Sequence, residues 1–89
     1  MMTLPIAVEV REGAGYIRYL DDKTAQTVDL MDSCSVAADM NAEHAVIGIE
    51  ILDVASPEQL RIAQRFALKH GLGFPRDLTG ALVEAYATA

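Results

Sequence analysis

The stretch from Val46 to Ser56, V-I-G-I-E-I-L-D-V-A-S, limits what this chain can fold into more than any other. Ile47, Ile49 and Ile51 recur at period two, which in an extended backbone puts them on one face and Val46, Gly48 and Glu50 on the other. Three β-branched residues at that spacing predict a core strand. It ends on Leu52, Asp53 and Val54, and Ser56-Pro57-Glu58 then reads as a helix start, with a serine N-cap, proline at the first helical position and an acid in the first turn.

Four further strands are predicted ahead of it. Leu4, Ile6, Val8 and Val10 alternate with polar or small neighbours, and Pro5 confines this first strand to an edge or to its own first position. A turn at Glu12-Gly13-Ala14-Gly15 leads to an aromatic and β-branched second strand from Tyr16 to Leu20. After Asp21-Asp22-Lys23-Thr24, the residues Gln26, Val28 and Leu30 oppose Thr27, Asp29 and Met31, a half-exposed third strand. In the fourth, Cys34, Val36 and Ala38 face inward and are small, which implies a helix lying close over them. The connections are too short for parallel crossovers, so the expectation is an antiparallel β-meander of about five strands over 4–52.

From Pro57 to His70 the pattern takes the helical period and stops at Gly71 and Gly73. Ile62, Phe66, Ala63, Ala67, Leu60 and Leu68 spread over an apolar arc of roughly 240°, with Glu58, Arg61, Arg65 and Lys69 on the remainder. One sheet face cannot cover so wide an arc. A second, short helix is expected over 76–87 through Leu78, Leu82 and Tyr86, weakened by Gly80. The fold class is therefore α+β, a single domain over 1–89, with the first helix packed on one face of the sheet.

Composition narrows the function classes. The 89 residues bury about 60 to 65% of the surface that the unfolded chain exposes, so the core is small. Thirteen acids against seven lysines and arginines give a formal charge of -6, which disfavours binding to phosphate backbones or anionic lipid. No apolar run approaches the roughly 20 residues of a membrane span, and the single Cys34 fits a reducing compartment, so a cytoplasmic protein binding neither nucleic acid nor membrane is expected.

Tyr16-Ile17, Val36, Asp39, Gly48-Ile49-Glu50-Ile51-Leu52-Asp53 and Ala55-Ser56 together resemble the small prokaryotic family called domain of unknown function 2283, over about residues 8 to 57. The opening Val10-Arg11-Glu12-Gly13 and the residues around Glu43-His44 depart from its pattern. The resemblance implies a small antiparallel sheet followed by a helix. It transfers no catalytic residue, because the family has no established activity.

Candidate sites are few. Asp39 to Glu50 has oxygen donors at positions one, three, five and twelve of a calcium loop, but His44 stands where that loop needs glycine and no helix precedes it, so an acidic hairpin is expected. Glu50 and Asp53 are carboxylates three apart on a strand, hence on opposite faces and unsuited to acid–base work as a pair. Glu50, Asp53 and Arg18 are the candidate functional residues, with Arg18 placed to pair with Glu50 across strands. Cys34 reads as a buried small hydrophobe, and His44 and His70 do not make a metal site. No catalytic residue, metal or cofactor is assigned.

The expected function is a non-catalytic, oligomeric protein-interaction module, an accessory or antitoxin-like protein whose acidic surface meets a basic partner. The expected oligomer is a homodimer through Ile62, Phe66 and Leu68, since part of the helix's arc would otherwise stay wet. The alternative is a small-molecule binder or enzyme with its pocket at the helix–sheet or subunit boundary.

Overall fold

The computed structural model describes residues 2–33, 35–76 and 78. Among them are β1 (Ala7–Arg11), β2 (Ala14–Arg18), β3 (Gln26–Asp29), β4 (Val36–Met40), β5 (Val46–Ile51) and α1 (Pro57–Lys69). The five strands form one sheet, every pairing antiparallel, in the order β1-β2-β5-β4-β3. The chain thus adopts the expected α+β fold, an antiparallel sheet followed by a helix. The order is not sequential throughout: β3, β4 and β5 form a meander, and the β1–β2 hairpin docks on the free side of β5. The most apolar strand thereby takes the central position, flanked by β2 and β4.

Local chemistry sets the boundaries. Arg11 pairs with Ala14, so only Glu12 and Gly13 turn the first hairpin, with φ of 52° and 83°. That tight turn has the twist of its strands and starts β2 two residues before Tyr16. β1 is an edge strand, as Pro5 implied, but Leu4 and Ile6 lie outside it and are exposed. Thr3 instead bridges to Leu72, its N–H donating to the Gly71 carbonyl at 2.9 Å and its carbonyl accepting from the Gly73 N–H at 2.7 Å.

A one-residue irregularity between Asp39 and Met40 breaks the alternation of β5. Asp39 is opposite Gly48 whereas Met40 is opposite Val46, so Ile47 is the extra residue of a bulge. Val46 consequently joins the core cluster with Ile17, Val36, Ile49 and Ile51, while Ile47 is buried but outside that cluster. Ile47 is exposed on neither side, and its expected burial holds with that of Ile49 and Ile51.

α1 begins as the sequence requires, Ser56 Oγ accepting from the Gln59 N–H at 3.3 Å with Pro57 next. Ala63 and Ala67 are its buried residues, and it packs on β4 and β5. Small side chains on both layers, Ala63 and Ala67 on α1 with Val36 and Ala38 on β4, allow that close seating. β3 lies beyond the helix, so all four of its residues are exposed rather than half of them. After α1 the chain returns through Leu72 to Leu78, where Tyr19 donates from its buried hydroxyl to the Gly73 carbonyl at 2.7 Å. The expected helix over 76–87 lies outside the described residues, apart from Arg76 and Leu78, and Cys34 lies outside them too. No described helix is long and apolar enough to cross a membrane.

Candidate functional site

The face of the sheet turned away from α1 is organised by a tyrosine lying across a glycine. Tyr16 on β2 is opposite Glu50 on β5, while Gly48 of β5 is opposite Arg18 of β2 on one side and Asp39 of β4 on the other. The Tyr16 ring covers Gly48 so closely that a Cβ there would run into the phenol Oη and Cζ. Its hydroxyl crosses β5 and donates to Asp39 Oδ2 at 2.9 Å, and Thr27 Oγ1 on β3 donates to Asp39 Oδ1 at 2.7 Å. Four strands are stitched together by one residue each. Burial first, then the hydrogen bond and charge of Asp39, push the Tyr16 hydroxyl up to about 12, so it stays a donor.

This network was not foreseen, although it had a signal. Gly48 interrupts a run of β-branched residues, and a glycine inside a strand marks close approach of another group.

Glu50 is exposed beside it, and Arg18 is two residues out of register, opposite Gly48. Among the described residues Glu50 and Arg18 form no ion pair; the Arg18 guanidinium lies over the Tyr16 ring, 5.3 Å from its centroid. The expected cross-strand pair is thus replaced by a cation–π contact. Asp53 has a separate, local task. Its Oδ1 accepts from the Ala55 N–H at 2.9 Å, its carbonyl from the Ser56 N–H at 3.1 Å, and its own N–H donates to Gln59 Oε1 at 2.9 Å. These bonds fix the strand-to-helix corner, and Glu50 and Arg18 are brought together without Asp53.

Glu50, Arg18, Tyr16 and Asp39 line an open concavity of about 590 Å³ on this outer face, with Glu9, Arg11, Glu12 and Leu52 around them. Arg11 is held by Glu9 at 3.0 Å. The concavity is on the far side of the sheet from α1, not at the helix–sheet boundary.

The segment from Asp39 to Glu50 is the expected hairpin. Asn41, itself buried, shapes its turn: Oδ1 accepts from the Glu43 and Ala45 N–H groups at 2.9 Å each, and Nδ2 donates to Asp22 Oδ2 at 3.0 Å. His44 takes φ of 66° there. His44 and His70 both border a smaller recess, with the His70 ring tilted against that of Phe66, centroids 4.3 Å apart. Among the described residues no three His, Cys, Asp or Glu side chains gather as metal ligands would.

On α1 the three expected interface residues part company. Ile62 and Phe66 are half-buried against the chain's own core cluster, whereas Leu68 is 54% exposed. Compared with known proteins, the chain matches no family model, no curated protein and no solved structure.

Proposed function

We propose that this is a non-catalytic protein-interaction module of a reducing, cytoplasmic compartment that self-associates through the exposed side of α1. The observation that carries the reading is Leu68. A helix seated on β4 and β5 through Ala63 and Ala67 leaves this leucine at 54% exposure. Burying it against a second chain removes about 25 cal/mol for every Å² of apolar surface covered. The acidic outer face of the sheet gives the module a second surface, suited to a basic protein partner. Masking of a basic toxin is one concrete version.

The test is light scattering on Leu68→Glu. Self-association of the natural chain, lost in this variant while the thermal melt is unchanged, supports the reading; equal mass for both overturns it. Ile62→Glu serves as the contrast, because Ile62 packs on the chain's own core and its loss lowers stability as well.

A second reading, small-molecule binding, draws on the outer concavity, whose volume of about 590 Å³ is of ligand size. Its openness and mixed-charge lining favour the side chains of a protein over an enclosed small ligand.

A further inference from the structure

The two outer sides of this molecule carry opposite charge. Arg61, Arg65 and Lys69 recur at i, i+4 and i+8 on α1, a single stripe turned away from Ala63 and Ala67 and so away from the sheet. All three are exposed, and among the described residues none has a carboxylate within 4.0 Å. They are three of the seven lysines and arginines in a chain with 13 acids. Cations four residues apart on a helix repel, and the one acid on the same side, Glu58 in the first turn, forms no ion pair with them. Leu68, three residues beyond Arg65, is exposed along the same side.

The outer face of the sheet is the complement of that stripe. Glu9, Glu12, Asp39 and Glu50 line its concavity, against Arg11, which Glu9 already neutralises, and Arg18, which lies on Tyr16. Leu52, 61% exposed, is at the same concavity. A cationic helix side with one apolar residue thus matches an acidic concave face with one apolar residue.

We propose that α1 of one copy docks on the outer sheet face of a second copy, Arg61, Arg65 and Lys69 meeting Glu12 and Glu50, and Leu68 meeting Leu52. This rests on the self-association reading and names the surface that meets α1. The basic partner for the sheet is the chain's own helix. The two surfaces are different and lie on opposite sides of the two layers, so the contact is head-to-tail: every added copy leaves one stripe and one concavity free, and assembly is open-ended. A two-fold pairing of α1 with α1 would instead bring two cationic stripes together, which like-charge juxtaposition opposes.

The experiment uses sedimentation of the full chain and two variants, each checked by thermal melt. Glu12→Gln/Glu50→Gln weakens the sheet face, and Arg61→Gln/Arg65→Gln weakens the helix face. Each alone is expected to associate at least about tenfold more weakly than the natural chain, while an equimolar mixture forms pairs and stops there, because one intact stripe and one intact concavity remain. Raising salt from about 0.05 M to about 0.5 M should weaken association of the natural chain in the same direction. Undiminished association of Glu12→Gln/Glu50→Gln, or salt-independent association of the natural chain, overturns the head-to-tail contact and leaves self-association standing. A natural chain that stays monomeric at every concentration overturns both.

Discussion

Tyr16 on β2 and Asp39 on β4 are joined by a 2.9 Å hydrogen bond that passes over the strand between them, and the residue it passes over is Gly48. Any side chain at that position would lift the ring, and with the ring would go the contact that ties β2 to β4. One glycine in the central strand is therefore a condition for the order of the outer face.

Gly48→Ala should destabilise the fold by about 1 to 3 kcal/mol, the cost of forcing a methyl into filled space. Urea denaturation measures it. A double variant with Tyr16→Ala should recover part of the loss, since the clash disappears with the ring; additive losses would mean that the two residues do not meet.

Alkaline pH should act through the same tyrosine. Its pKa is raised from 10.0 to about 12 in the folded chain, so the folded state holds the phenol proton more tightly than the unfolded one. The resulting stabilisation is complete below pH 10 and is lost as pH rises from about 10 to about 12. Denaturation across that window should show a decline that Tyr16→Phe reduces, and the Tyr16 ring resonance should titrate near the upper end.

Asn41→Ala should cost about 1 to 3 kcal/mol, because a buried amide that serves two N–H groups and one carboxylate is removed at once. The Asp22 carboxyl lies below its ordinary range, held there first by the Lys23 N–H and then by the Asn41 amide. In the variant its titration should move upward, part of the way back. An unchanged melting temperature would show that the turn holds without Asn41.

Glu50→Gln should change stability by less than about 1 kcal/mol, since Glu50 is exposed and forms no ion pair with Arg18. Chemical denaturation decides, and a loss of several kcal/mol would mean that Glu50 supports the sheet.

Much of this fold is legible in the sequence because its signals are local. Ser56-Pro57-Glu58 caps the helix it predicts, Pro5 marks an edge, and small residues in β4 foretell the close seat of α1. What escapes has no local signature. The bulge at Ile47 leaves the apolar pattern intact while shifting Val46 into the core cluster, and the docking of β2 against β5 is a choice among strand orders that all satisfy the same alternation. Of the candidate site, Glu50 and Arg18 fall on one face as their spacing implies, but the placing of Arg18 on the Tyr16 ring depends on a register that only the assembled sheet defines. Asp53 has the composition of a site residue and the bonds of a turn.

The central claim is that the exposed side of α1 is a surface for a second copy of the chain. Sedimentation equilibrium of the natural chain from micromolar to millimolar concentration tests it most directly. The account predicts an average mass that rises with concentration from 9.6 kDa to at least twice that value, with Leu68→Glu holding it at the lower end; a mass of one chain throughout would contradict it.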